Sequence, residues 1–173
     1  MDYAPLLAGA LRAHSLRKPS RLVLETADGR PVIGFTHGSD PYSASLEAAD
    51  GTWSMHGVDV SGWSGPASWS VTDARGTEVG TLGTGRAERS MTLPAGSATW
   101  SYHAIHSPHY QVDGLFSANR TALHRLAPGI TRRPFSVEVT DALIARSDAS
   151  LLLLLAAWCT NNHIVSKVQA AGD

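Results

Sequence analysis

The sequence predicts a mainly β protein: a closed antiparallel β-barrel around one central hydrophobic C-terminal helix. Three observations lead there. Short segments rich in Val, Thr, Trp and Tyr are broken by Gly, Pro and Asp-Gly at intervals of about ten residues, the pattern of successive antiparallel hairpins. The longest apolar run, Leu151 to Cys159, is nine residues, whereas a membrane-spanning helix needs about 20. That run is apolar on every face, so a globular protein has to bury it all round. Many strands followed by one such helix leave it a single good seat, the lumen of a barrel that the strands close, and closure also removes exposed sheet edges. A two-layer sandwich with the helix on one face is the alternative, and it requires a polar helical face that Leu151 to Trp158 does not offer.

The 173 residues, 43% hydrophobic and 17% charged, suit one single-core domain. With 14 Lys and Arg against 15 Asp and Glu, the net charge of -1 supplies no global field for DNA or RNA, so nucleic acid is not an expected partner. The single cysteine, Cys159, excludes an internal disulfide and the cysteine-rich secreted scaffolds, and a reducing cytoplasm is the expected location. The opening MDYAPLLAGALRAHSLRKPS lacks the basic-then-apolar order of a secretory signal.

Residues 1–19 read as an amphipathic helix or a tail. Leu6, Leu7, Leu11 and Leu16 recur at roughly helical spacing, Arg12, Arg17 and Lys18 supply a basic end suited to a membrane surface, and Pro19 stops the helix. The barrel domain spans 20–165. Arg21 to Thr26 and Pro31 to Phe35 flank Asp28-Gly29, and Ser43 to Ala48 and Thr52 to His56 flank Asp50-Gly51. Ser68 to Thr72 and Thr77 to Leu82 flank Asp73-Ala74-Arg75-Gly76, with Gly76 available for a positive φ. Further strands at 89–93, 98–105, 109–113, 121–126 and 134–139 bring the number to about ten to twelve. No internal repeat or low-complexity linker divides the chain. The central helix is placed at 148–163, with Ser147 or Asp148 as N-cap, and 166–173 as a C-terminal tail.

The segments HYQVDGLFSANRTALHRL and ITRRPFSVEVTDALIARSDASLLLLLAAW resemble the C-terminal half of the Tubby C-terminal-like superfamily, especially its LURP-one-related and phospholipid scramblase branches. The shared elements run in order: an aromatic-x-Val-x-Gly strand (Tyr110, Val112, Gly114), a Phe-x-Val-x-Val strand (Phe135, Val137, Val139), Asp148, then the Leu-rich helix. Upstream, WSVTDARGTEVGTL is similar to the family's hairpin of strand, Asp, turn Gly and Val-Gly strand, so the likeness covers roughly 20–165. The resemblance implies a barrel of about twelve strands around a helix at 149–163. It also implies a non-enzymatic binding module that takes an anionic lipid headgroup or acts at a membrane surface. The family's calcium loop and Cys-rich palmitoylation segment have no counterpart here: the acidic residues Asp40, Glu47 and Asp50 lack the alternating oxygens of a calcium loop, so no metal or cofactor is expected.

Only two lysines occur, so a headgroup site has to rely on arginine, whose fork matches phosphate. Arg120, Arg125, Arg132 and Arg133 fall within fourteen residues, and Arg146 precedes the helix N-terminus, so these five are the candidate anion ligands. Trp63, in a loop-like Ser-Gly-Trp-Ser-Gly-Pro, is the candidate exposed anchor, while Trp53, Trp69, Trp100 and Trp158 read as core. His103, His106 and His109 imitate a metal motif, but a spacing of three puts neighbours on opposite strand faces unless a turn at Ser107-Pro108 folds the segment back. Cys159 and His163 share a helical face that burial makes unreachable as a catalytic pair. Gly80 to Gly85 copies phosphate-loop spacing but ends in Arg86-Ala87, not Lys-Ser/Thr, and reads as a loop or bulge. Ser61 to Gly65 does not meet the hydrolase elbow. The opposing expectations are a small enzyme with a site on the barrel rim and a structural or protein-partner-binding domain.

Overall fold

The structure, a computed structural model, describes residues 10–16, 21–38, 40–48, 50–59, 66–104, 108–120, 124–127, 130–132 and 135–170. Among them the chain is mainly β. The strands are β1 (Ala10–Leu16), β2 (Arg21–Glu25), β3 (Pro31–His37), β4 (Ser43–Ala48), β5 (Gly51–Val58), β6 (Ser68–Asp73) and β7 (Glu78–Gly83). They continue as β8 (Glu88–Thr92), β9 (Ala98–His103), β10 (His109–Val112), β11 (Phe116–Arg120), β12 (His124–Ala127), β13 (Ile130–Arg132) and β14 (Phe135–Val139). Two helices follow, α1 (Asp141–Ile144) and α2 (Ala149–Ala170).

The expected hairpins form because their turns carry the residues that turns need. Gly29 (φ 81°) and Gly76 (φ 79°) occupy the left-handed region, and the Asp73 carboxylate accepts from the backbone N–H of Arg75 at 2.8 Å and Thr77 at 2.9 Å, closing the β6–β7 turn. Hydrogen-bonded neighbours run β1-β14-β11-β10-β9-β8-β7-β6-β5-β4-β3-β2, all antiparallel, and β2 pairs in turn with β1.

Residues 10–16 overturn the expected N-terminal helix. Leu11 and Ala13 are buried two apart, and β1 pairs Leu11 with Val137 and Ala13 with Leu24. The period is that of a strand, and the gain is two ladders of backbone bonds that a lone amphipathic helix would not have. Residues 1–9 and 17–20 lie outside the described set.

Alternation places one apolar row inward. Leu24 stands opposite Ile33, Phe35 opposite Leu46, Met55 opposite Val71, Leu82 opposite Met91 and Val112 opposite Trp100, and every one of these is buried. Helix α2 fills the space they face: Leu152 through Ala157 are fully buried. It touches β3 and β4 on one side and β10 and β11 on the other, which other strands separate in both directions along the ladder.

The helix begins one residue later than expected and continues to Ala170, so the anticipated tail at 166–173 is helical at least to there. Asp148 stands at the position before Ala149, and its carbonyl accepts from the Leu152 N–H at 3.0 Å. Its carboxylate is spent elsewhere, accepting from the Arg146 Nε–H at 2.7 Å and the Ala95 N–H at 2.8 Å. The same Arg146 donates to the Gly96 carbonyl at 3.0 Å, so one ion pair fastens the β8–β9 turn to the start of α2.

Candidate functional site

Strands β11 and β14 pair directly, Ala118 with Val137 and Arg120 with Phe135. Among the described residues between them, β12 and β13 pair only with each other, as a two-stranded ribbon outside the main sheet that lies beside β1. In this ribbon His124 is the register partner of Arg132, and Arg125 that of Thr131. Arg120 ends β11 at the point where the ribbon departs. The topology thus brings Arg120, Arg125 and Arg132 to one outgrowth, while Arg133 lies outside the described residues. Between Asp113 and Glu138 the sequence has four arginines and no Asp or Glu, so this excursion carries a local positive charge that the overall net charge of -1 conceals.

Arg146 does not join them. Its guanidinium is paired with Asp148 and bound to the Gly96 carbonyl, with side-chain exposure of 16% for Arg146 and 3% for Asp148. Burial raises the Asp148 carboxyl, but the hydrogen bonds from Arg146 and the Ala95 N–H, with the Arg146 charge, outweigh it and hold the group below its ordinary value. An arginine with its own carboxylate acts as a structural clamp, so the structure engages Arg146 within the protein and does not group it with the candidate anion ligands Arg120, Arg125 and Arg132. Trp63 and the Ser61 to Gly65 segment lie outside the described residues.

The histidines come together by a route the spacing hid. The chain reverses between β9 and β10, so His103 and His109 become register partners, while His106 lies outside the described residues. Each is already engaged: the Gln111 amide donates to His103 Nε2 at 2.9 Å, Ser101 Oγ lies 3.1 Å from that nitrogen, and His109 Nδ1 is 3.1 Å from Asn119 Oδ1. Among the described residues no group of three potential ligands is arranged to hold a metal ion.

Cys159 is fully buried, and burial pushes its thiol up to about 11, partly opposed by the neighbouring Arg89, so it stays protonated and poorly nucleophilic. His163 directs Nδ1 to the Arg86 carbonyl at 3.1 Å, and its ring centroid lies 4.2 Å from that of Tyr102, the partners of an aromatic cluster rather than of a nucleophile.

The glycines at 80–85 belong to the edge of β7 and the turn after it. A Cβ at Gly80 would stand 2.7 Å from the Thr92 carbonyl oxygen, and one at Gly85 would fall on the Glu88 carbonyl, so glycine lets β8 close onto β7. That approach positions a basic residue which the sequence did not single out: the Arg89 Nε–H donates to the Gly85 carbonyl at 3.0 Å. Arg89 shares the strand parity of buried Met91, the signal that its side chain turns inward.

In comparison with known proteins, the chain matches no family model, no curated protein and no solved structure.

Proposed function

We propose that this chain is a non-enzymatic binding module of the Tubby-like type, a barrel closed around its helix that holds an anionic lipid headgroup at a membrane surface through the β12–β13 ribbon. The observation that carries the reading is the separation of charge from scaffold: Arg120, Arg125 and Arg132 stand on or beside a ribbon outside the main ladder, in a stretch of sequence free of acidic residues. The same stretch of sequence also contains the apolar residues Leu123, Leu126 and Ile130. Each arginine near an anionic leaflet contributes about 1 kcal/mol, so three or four give a reversible, salt-sensitive attachment. Among the described residues no helix is long and apolar enough to cross a membrane, and attachment at the surface of a cytoplasmic leaflet fits that chemistry.

Co-sedimentation with neutral and anionic liposomes across a salt series tests this. The expected result is binding to anionic vesicles only, weakened by salt and lost in the Arg132→Ala/Arg133→Ala variant. Equal binding to neutral vesicles, or none to anionic vesicles at low salt, would overturn it and favour a soluble protein partner or a small-molecule role.

A further inference from the structure

Between β6, the β7–β8 turn and the middle of α2, Trp69, Arg86, Arg89, Trp158 and Asn162 line an open cleft of about 320 Å³. This is the lower end of the roughly 300–1,000 Å³ that small-molecule sites occupy. Arg89 is its unusual feature. It is half-buried, and its guanidinium carbon stands 5.4 Å from the ring centroid of Trp100 and 5.6 Å from that of Trp158. Its Nε–H is spent on the Gly85 carbonyl, and its other side chain contacts include the Cys159 thiol, a weak acceptor. Among the described residues no carboxylate pairs with it, unlike Arg21 with Glu47, Arg30 with Asp28 and Arg146 with Asp148. Aromatic faces offset part of the cost of a desolvated cation, but among the described residues the outer fork of the guanidinium, the part that matches an oxyanion, meets no oxygen acceptor and has only the weak thiol contact.

A second observation bears on the same place. Trp158 is 3% exposed, and among the described residues its indole Nε1–H has no hydrogen-bond acceptor, an uncommon state for a buried donor. Trp69, 8% exposed, stands against it edge to face with ring centroids 4.9 Å apart, so the floor of the cleft is formed by two largely buried indoles next to the cation. Arg86, exposed on the rim, adds a second positive charge.

From this geometry we propose that the cleft binds a small oxyanion carrying a planar or apolar group, of the aryl or alkyl phosphate class, with the anionic oxygens on Arg89 and the body against Trp69 and Trp158. The site is separate from the basic ribbon and its occupancy does not depend on membrane attachment. Gly85 lines it, and Gly80 and Gly85 are the positions that let β8 approach β7, which gives the phosphate-loop-like glycine spacing a physical reason unrelated to phosphate-loop chemistry.

Tryptophan emission of the full chain, titrated with phenyl phosphate, phenol and inorganic phosphate, tests the proposal because Trp69, Trp100 and Trp158 all lie at or next to the cleft. The expected result is a saturable change with phenyl phosphate, with phenol and inorganic phosphate each about tenfold weaker or worse, since each offers only half of the contact. Arg89→Gln weakens phenyl phosphate by about tenfold or more, while Arg132→Ala/Arg133→Ala leaves it unchanged. Phosphatidic acid vesicles as a further titrant identify the source: displacement of phenyl phosphate by them marks a lipid headgroup, and its absence a soluble ester. A response to phenol equal to that to phenyl phosphate, or no saturation up to about 10 mM, would overturn the proposal from the unmodified protein alone. Vesicle binding that fails while this titration succeeds would remove the membrane reading and leave the cleft standing.

Discussion

Asp148 shows how much one side chain does in seating the helix. Its carboxylate is 7% exposed as a residue and takes hydrogen bonds from both Arg146 and the Ala95 backbone. Replacing it with Asn leaves the Arg146 guanidinium desolvated without its counter-charge, so Asp148→Asn is expected to cost about 3 kcal/mol in chemical unfolding at neutral pH. The folded carboxyl sits below the ordinary value of 3.8, so the charge-linked part of its contribution is complete above that value and is lost as pH falls through the lower folded one. The gap between wild type and variant therefore narrows only in acid below about pH 4, and a gap that narrows between pH 8 and 5 would contradict the assignment. From the sequence, Ser147 or Asp148 is the expected helix cap. What it did not reveal was the partner, because Ala95 lies 53 residues away and no local pattern encodes that contact. Arg89 was hidden for a related reason: a charged residue on a strand reads as solvent-facing, and only its parity with Met91 betrays that it turns toward Trp100.

Elements were legible where local chemistry decides them. Asp-Gly turns, alternating strands and an apolar run without a polar face mark β2 to β10 and the helix, and the structure has each of them with boundary shifts of a few residues. β11 escaped because Phe116–Arg120 reads Phe-Ser-Ala-Asn-Arg, with Ala and Asn both poor strand formers, and tertiary pairing with β10 and β14 overrides that weakness. β1 escaped because the leucines before it imitate a helical period. The helix itself is held by packing on all sides, so truncation in its middle opens a cavity that the surrounding strands cannot collapse into. Leu154→Ala is expected to lose about 2–5 kcal/mol, read as a fall in Tm with retained strand signal in circular dichroism. A loss below about 1 kcal/mol would place that face of α2 at a surface.

For the whole molecule, the pairing of β1 with both β2 and β14 joins the first described strand to the last. Such long-range ladders predict slower folding than a local hairpin meander, and they make the sheet and helix one cooperative body. The basic ribbon lies beside β1 but outside this ladder, since β12 and β13 have no ladder partner outside each other among the described residues. A rigid scaffold with a charged outgrowth is what a surface-binding module needs: the scaffold stays folded whether or not the outgrowth is engaged. Overall charge gave no hint of this, because the acids that balance the arginines lie elsewhere in the chain. Hydrogen exchange of the full chain, read by mass spectrometry with and without anionic vesicles, tests the membrane reading most directly. The account predicts added protection confined to the segment 114–137, with α2 and the inner strands unchanged. Protection appearing on β2 to β5 instead, or no change in 114–137 while the protein is bound to vesicles, would contradict it.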